Sequence, residues 1–137
     1  MTSRVVYNGE LRTTCVHLKS QSDFETDAPV DNNGKGERFS PTDLLATSLA
    51  TCMITVMGIK ARSMGFDLNG VEVEVEKIMH NDPRRVSGIN LFFYIPSSMT
   101  DIDESTKIIL KDKGEHCPVM LSIHPDIAVN IDWGKWS

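Results

Sequence analysis

Three cysteines are the residues of this chain whose side chains could carry covalent chemistry, and they stand at Cys15, Cys52 and Cys117. They are too few and too widely spaced for the disulfide framework of a small secreted domain, and the sequence has no CxxC motif of a zinc or thioredoxin site. A cysteine is a nucleophile only as the thiolate, so its surroundings decide whether it reacts. Any cysteine chemistry must therefore be assembled by the fold.

Two of these cysteines have informative neighbours. Cys52 lies in a long apolar segment, where burial disfavours a thiolate unless a cation or a helix N-terminus compensates. It is therefore either inert packing or a reactive thiol with a partner group. Cys117 precedes Pro118, and we predict a short helix starting there, whose unpaired N–H groups would favour the thiolate. The alternative for Cys117 is a simple turn residue.

The apolar segment around Cys52 predicts a central helix. Residues 40–43 (SPTD) supply an N-cap, a proline at the first helical position and an acid in the first turn. The helix should end at Gly65, shortly after Lys60 and Arg62. Its apolar residues leave no wide polar stripe, so other elements must cover it nearly all round. Threonines and serines interrupt the apolar run too often for a membrane span.

Strands are predicted on both sides of this helix. Before it, residues 3–7 and 11–18 flank Asn8-Gly9, a strong hairpin signal, and a third short strand is expected at 22–27. A Gly- and Asn-rich loop follows. After the helix, the strict Val/Glu alternation of 71–77 predicts a strand with one wet face.

The carboxyl-terminal half continues with one more helix and two more strands. Residues 88–96 follow a turn and should pair antiparallel with the alternating strand, with Pro96 at the end. Residues 101–113 have acids first and lysines later, which predicts a second helix. Residues 126–133 should form the closing strand.

Composition restricts the possible functions. With 137 residues the chain is long enough for one domain, which we assign to 1–137. The formal net charge of −5 argues against nucleic acid as a partner, and the lone basic pair Arg84-Arg85 suits a turn. The first ten residues have no apolar signal-peptide core, so we expect a cytoplasmic protein that does not enter a membrane.

Two segments closely resemble the signatures of the OsmC/Ohr family of osmotically inducible and organic hydroperoxide resistance proteins. One is SPTDLLATSLATC (40–52), continued by MITVMGIKARSMG, and the other is GEHCPV (114–119). In the family, the first signature opens a central helix bearing a peroxidatic cysteine, and the second carries a resolving cysteine. The resemblance assigns these roles to Cys52 and Cys117, respectively.

The resemblance also implies a fold and a reaction. The fold would be α+β, with antiparallel sheets wrapped around two long central helices in an intertwined homodimer. Cys52 would attack an organic hydroperoxide, Cys117 would close a disulfide on the resulting sulfenic acid, and a dithiol, of the lipoyl type in this family, would reduce it. No cofactor is implied. We expect Leu49, Met53 and Met57 to line an apolar substrate pocket.

The sequence departs from the family pattern at one position. The best-known branches have a glutamate directly after the proline of the first signature, and it orients an arginine that stabilises the thiolate. Thr42 stands there in this chain, and Asp43 is one place later, turned by about 100° on the helix. Arg12 and Arg38 are the candidate arginines, each with a solvated surface position as the alternative, and Glu37 is a further candidate acid.

Two other functions stay open. The missing glutamate leaves room for a redox-inactive member that binds a small apolar ligand or acts as a structural dimer. His17, His116 and His124 could join Cys52 and Cys117 in a metal site, although no ligand pair has the usual close spacing. Cys15 has no counterpart in the family, and we assign it to packing.

Overall fold

The computed structural model describes residues 1–137, and these fall into two compact units, Met1–Leu45 and Ala46–Ser137. The chain is α+β, with two three-stranded sheets and two α-helices. The prediction of a single domain stays a prediction. The first unit contains an antiparallel sheet in the order β1-β2-β3, as the two β-rich runs and the segment after them predict. Its strands are β1 (Ser3–Gly9), β2 (Arg12–His17) and β3 (Asp23–Asp27).

The first hairpin turns later than the sequence indicates. Its turn residues are Glu10 and Leu11, both with positive φ (52° and 62°), rather than Asn8-Gly9. Gly9 also has a positive φ of 85° and lies where the strand register shifts. Gly9 therefore lies at an irregularity of β1 rather than in the turn, and its conformational freedom allows the positive φ there.

Helix α1 (Pro41–Ser63) begins and ends close to the prediction. At its start, the backbone N–H of Asp43 donates to Ser40 Oγ (3.0 Å), and the backbone N–H of Ser40 donates to Asp43 Oδ2 (2.8 Å). This reciprocal pair satisfies donors that a helix start leaves without intrahelical partners. Lys60 and Arg62 lie in the last turn, where cations suit the helix dipole.

The second unit contains β4 (Glu72–His80), β5 (Arg85–Tyr94), α2 (Glu104–Glu115) and β6 (Ala128–Asp132). Its three strands form the other sheet, in the order β4-β5-β6. The predicted hairpin is present, because β4 and β5 pair antiparallel. β6, however, runs parallel to β5, whereas the resemblance implied antiparallel sheets. The connection between β5 and β6 includes α2, and a parallel pair needs such a long crossover.

A hydrophobic core fills the second unit between α1 and the sheet. On β4 the valines face inward and the glutamates outward, as their alternation predicts. α1 buries one stripe of side chains, and β5 contributes alternate residues. The core residues of these two elements include Ala46, Leu49, Ala50, Met53, Met57, Ala61, Ile89, Leu91 and Phe93.

The rest of the α1 surface is not covered within this chain, so the expected cover nearly all round would have to come in part from outside it. Ile59, for example, is 68% exposed. By length and composition alone α1 could cross a membrane, but core helices meet the same criterion. The buried stripe identifies α1 as a helix that packs against protein on at least one side.

The backbone at Gly134 offers a test of the packing at the end of the second sheet. A Cβ there would lie 2.4 Å from the carbonyl oxygen of Phe93, and φ is +56°. Gly134→Ala should lower the free energy of unfolding by about 2–5 kcal/mol, since left-handed strain (about 1–2) and overpacking (about 1–3) add. Urea unfolding measures the difference.

Gly65→Ala is the matched control for this substitution. Gly65 also has a positive φ (+88°), but a Cβ there meets nothing within 4 Å. Only the conformational strain applies, so the cost should be about 1–2 kcal/mol. Equal losses in the two variants would contradict the close approach of Gly134 to β5.

Candidate thiol site

The structure brings Cys52 and Cys117 together from separate elements of the second unit. Cys52 lies in the middle of α1 and is half-buried, directly before the fully buried Met53. Cys117 follows the end of α2 and has no exposed surface. Both are free thiols, and they lie close enough for Cys52 to raise the pKa of Cys117. Residues 65 positions apart in sequence therefore form one dithiol site.

The surroundings of Cys117 keep its thiol protonated. Burial raises the pKa of Cys117, and both a hydrogen bond with Cys52 and the negative charge of Cys52 raise it further. Backbone N–H groups of Met120 and Val119 act in the opposite direction, but they do not outweigh burial. The sequence-based expectation that its position favours a Cys117 thiolate is therefore wrong.

The backbone conformation after Cys117 explains why the thiolate is not favoured. Residues 117–123 form turns rather than the predicted short helix, although Leu121 N–H donates to the Cys117 carbonyl (3.1 Å). Met120 N–H donates to Cys117 Sγ at 3.5 Å, an ordinary length for a hydrogen bond to sulfur. Without a full helix there is no dipole large enough to offset the loss of hydration.

A glycine allows the end of α2 to lie against α1 beside the two thiols. Gly114 is buried, and a Cβ added to it would lie 2.9 Å from Met57 Sδ and 3.4 Å from Met53 Cε. Gly114 precedes Cys117 by three residues, and Met53 adjoins Cys52. The absence of a side chain at position 114 therefore helps to bring Cys117 close to Cys52.

The candidate arginine Arg12 is engaged by two carboxylates of its own unit. Its Nε and Nη2 donate to Asp27 Oδ1 and Oδ2 (2.7 and 2.8 Å), and Nη2 also donates to Glu37 Oε2 (2.8 Å). These bonds raise the pKa of Arg12, and the arginine in turn holds the pKa of Asp27 at about 2. Arg12 is thus a fixed, fully charged guanidinium rather than a mobile surface side chain.

The second candidate arginine has more exposed partners. Arg38 Nε donates to Glu25 Oε2 (3.2 Å), and Arg38 Nη1 donates to the Glu37 carbonyl (3.1 Å). Its side chain is 48% exposed. This position matches the surface alternative more closely than that of Arg12, which is 21% exposed.

Sequence reasoning missed Asp27. It considered Asp43 and Glu37 as replacements for the family glutamate, but Asp43 accepts from Ser40 in the helix cap and Asp27 makes the paired contact with Arg12. The signal was available, because Arg12 begins β2 and Asp27 ends β3. In the observed register these two residues lie directly opposite each other.

The residues expected to line an apolar substrate pocket are fully buried in this chain. Leu49, Met53 and Met57 have no exposed surface and belong to the core that also includes Cys117. Their assignment to a pocket stays a prediction. Cys15 is half-buried on β2 between Val5 and Phe24 of the neighbouring strands, a packing position.

The histidines lie in separate local contacts. His17 bonds to Ser20, His116 approaches Asp112, and His124 approaches Asp126. No group of three or more His, Cys, Asp or Glu side chains is arranged to hold a metal ion.

Comparison with known proteins places this site in a family. Residues 34–132, which include both thiols, match the family model described as OsmC-like protein. The chain belongs to the OsmC-like family. Comparison of this OsmC-like protein with curated proteins finds no significant match.

Solved structures agree with this membership. A Psychrobacter arcticus 273-4 protein, provisionally described as an osmotic stress induced and detoxification response protein, is 51% identical, with a TM-score of 0.91 over 96% of this chain and 94% of that one. An organic hydroperoxide resistance protein OsmC of Legionella pneumophila is 19% identical, with a TM-score of 0.72 over 96% of each chain. OhrB of Bacillus subtilis is 18% identical, with a TM-score of 0.64 over 96% of this chain and 97% of that one. The last two establish the shared fold.

Gly114→Ala tests the packing that brings the thiols together. The added methyl would meet Met57 Sδ at 2.9 Å, so we expect a loss of about 1–3 kcal/mol in unfolding free energy from overpacking. Displacement of Cys117 should also slow formation of the Cys52–Cys117 disulfide. The rate can be measured by adding diamide as the oxidant and titrating the remaining free thiols over time.

The adjacent Lys113→Ala is the control. Lys113 is exposed in the same helix turn, so stability should change by less than about 0.5 kcal/mol and disulfide formation should keep its rate. If Gly114→Ala closes the disulfide as fast as the parent, the glycine contact does not position the thiol.

Proposed function

We propose that this OsmC-like protein is a thiol-dependent peroxidase that reduces organic hydroperoxides to alcohols. The observation that carries the proposal is the interaction of the Cys52 and Cys117 thiols in one largely apolar site. Two thiols in contact are what a peroxidase needs to convert a sulfenic acid into a disulfide. An antioxidant role in stress response, in the cytoplasm, is consistent with such a reaction.

The two thiols differ in ways that divide the roles. Cys52 is only half-buried, whereas Cys117 is completely buried. A peroxide can therefore approach Cys52 first. The raised pKa of Cys117 keeps that thiol protonated while Cys52 reacts, so Cys117 suits the second, resolving step.

The reaction balances with a dithiol as the reductant. The Cys52 thiolate attacks one peroxide oxygen, the O–O bond breaks, and the alkoxide leaves and takes up a proton as alcohol, which leaves Cys52 as a sulfenic acid. The Cys117 thiol then displaces water from that sulfur and forms the disulfide. A dithiol such as a lipoyl group reduces the disulfide and is itself oxidised.

Family membership supports the proposal. The L. pneumophila and B. subtilis proteins that share this fold are described as organic hydroperoxide resistance proteins. The Arg12–Asp27 pair supplies a fixed cation of the kind that the resemblance assigns to thiolate stabilisation. A buried, apolar thiol site also suits an alkyl hydroperoxide better than the more polar hydrogen peroxide.

Cysteine variants test the activity. With dithiothreitol or dihydrolipoamide as reductant, the parent should consume cumene hydroperoxide catalytically. Cys52→Ser should lose at least about 100-fold in rate, since the nucleophile is removed. Cys117→Ser should still react once with peroxide but lose turnover through the disulfide. The rate at which the peroxide is consumed measures the effect of each substitution.

Cys15→Ser is the control, because Cys15 lies on β2 in the first unit and is expected to have no redox role. It should keep the parental rate. Equal peroxide consumption by parent and Cys52→Ser would refute the peroxidase and favour the redox-inactive alternative.

We also infer that the protein acts as a homodimer. The first unit buries only Thr26, Asp27 and Ser40, all polar, and thus has no apolar core of its own. Val5 and Phe24 lie on one face of its sheet and are 60% and 49% exposed. A sheet with such a face needs apolar cover, and a second copy, as the family resemblance implies, would supply it.

Light scattering after gel filtration tests the dimer. The parent should have about twice the chain mass of 15.3 kDa. Phe24→Arg places a charge on the apolar face and should weaken association by at least about 10-fold in dissociation constant. Ser20→Arg, in the exposed turn after β2, should leave it unchanged. A monomeric parent at 100 µM, about the concentration of such an assay, would contradict the inference.

A further inference from the structure

The outer face of the second sheet carries two exposed aromatic rings. Phe92 and Tyr94 lie on β5 and point away from the hydrophobic core, with 37% and 51% of their surface exposed. Leu91 and Phe93 alternate with them along the strand and are buried. A single exposed apolar residue is ordinary on a protein surface, but two rings at successive positions of one face form an apolar strip. The strip is a surface against which a partner can pack.

The strand register places carboxylates on both sides of Phe92. Glu74 of β4 lies directly opposite Phe92 on one side, and Asp132 of β6 lies directly opposite it on the other. Both acids are exposed, and neighbouring strands are only about 5 Å apart. Glu72 and Glu76 extend the acidic row of β4 in both directions. The Phe92 ring therefore lies between negative charges.

Neutral donors hold two of these carboxylates in place. Tyr94 Oη donates to Glu74 Oε2 (2.8 Å), and Asn90 Nδ2 donates to Glu76 Oε2 (2.7 Å). Asn130 Nδ2 in turn donates to Asn90 Oδ1 (2.9 Å), so a hydrogen-bonded row crosses all three strands. These bonds orient the carboxylates but leave their charge uncompensated. The acids are thus pre-organised for a cation from outside.

Charges from two strands act on the same part of this face. The hydrogen bond to Glu74 raises the pKa of the Tyr94 phenol, the negative charge of Glu74 and burial raise it further, and the charge of Asp132 adds to them. Lys135 lies nearby, but its Nζ donates to Ser97 Oγ (3.4 Å) rather than to either carboxylate. The negative charge therefore stays open to an external partner.

Two shallow hollows lie beside Phe92. One, of about 330 Å³, is bordered by Phe92, Tyr94 and Asp132, and the other, of about 430 Å³, by Glu74, Glu76 and Phe92. Small-molecule sites enclose most of their ligand, whereas these hollows are open to solvent. Neighbouring open hollows suit successive side chains of a polypeptide better than one small molecule.

We propose that this face, the Phe92 surface, docks a basic polypeptide segment, with an arginine of the partner stacked on the Phe92 ring between Glu74 and Asp132. The arginine guanidinium is planar and weakly hydrated, so it stacks on an aromatic ring and donates from its edges to carboxylates. A second copy of this chain is a poor occupant, because each copy has a formal net charge of −5 and the copies would repel each other. Charge complementarity therefore selects a basic partner.

Binding of a fluorescein-labelled hexa-arginine amide tests the aromatic part of the Phe92 surface. Anisotropy is measured at about 0.15 M salt, where long-range attraction is screened. Phe92→Leu keeps an apolar side chain but removes the ring, so the dissociation constant should rise about two- to five-fold. Ile108→Leu is the matched control, since Ile108 is exposed on α2, and the dissociation constant should not change. Equal affinity of the parent and Phe92→Leu would overturn the proposal.

A charge-matched pair of double variants tests the acidic part. Glu74→Gln with Asp132→Asn should raise the dissociation constant at least about three-fold, because two ion pairs with the peptide are lost. Asp101→Asn with Glu115→Gln removes the same charge from exposed positions elsewhere in the second unit and should change it less than about two-fold. Losses of equal size would mean that net charge alone attracts the peptide, which would overturn the proposal.

Two measurements on the parent keep the proposal testable if a variant does not fold. Unlabelled hexa-arginine should shift the backbone NMR signals of β4, β5 and β6 around Phe92. Free argininamide should bind at least about 10-fold more weakly, since several contacts act together in the peptide. Shifts confined to other elements, or no binding at about 1 mM peptide, would overturn the proposal. Equal affinity for argininamide would also overturn it, because the face would then be a site for a small cation.

Discussion

A fully buried thiol lies beside a half-buried one, and the rest of the account depends on this difference in burial. Burial raises the pKa of Cys117, and the charge of Cys52 raises it further, which favours the protonated thiol. In the proposed reaction the exposed part of Cys52 meets the peroxide, and Cys117 reacts only after Cys52 is oxidised. The proposed order of the two steps therefore follows from burial.

The packing of the second unit maintains this contact. α1 holds Cys52 beside its buried stripe, and the end of α2 approaches α1 at a glycine, where any side chain would collide with Met57. Close-packed cores transmit such small displacements, so the distance between the sulfurs is a property of the whole core. We therefore expect substitutions at Gly114 to change both disulfide formation and folding stability.

In the first unit the corresponding constraint is a buried carboxylate. Asp27 is almost completely buried, and its charge is compensated by the guanidinium of Arg12 and the backbone N–H of Glu37. The first unit has no apolar core of its own, and Asp27 is one of its three buried residues, with Thr26 and Ser40. The arginine that begins β2 is thus fixed by a carboxylate at the end of the neighbouring strand β3.

The sequence was most informative where a periodic pattern or a cap determines the structure. The strands and α1 with its Ser40–Asp43 cap were predictable because alternation and capping are local. The fold class came from the resemblance to the OsmC/Ohr family. The helix expected at Cys117 was wrong, since Cys-Pro fits a turn equally well. Asp27 was missed because its partner is 15 positions earlier and only the strand register joins them. The full burial of Leu49, Met53 and Met57 could not be predicted, because periodicity shows that a residue is apolar, not how deeply it is buried.

The most direct test of the central claim is peptide mapping after one equivalent of cumene hydroperoxide, with free thiols blocked under denaturing conditions. The account predicts a single linked peptide pair joining Cys52 to Cys117, with one cumyl alcohol formed per disulfide and Cys15 fully blocked. Three blocked cysteines, or a disulfide that includes Cys15, would contradict it.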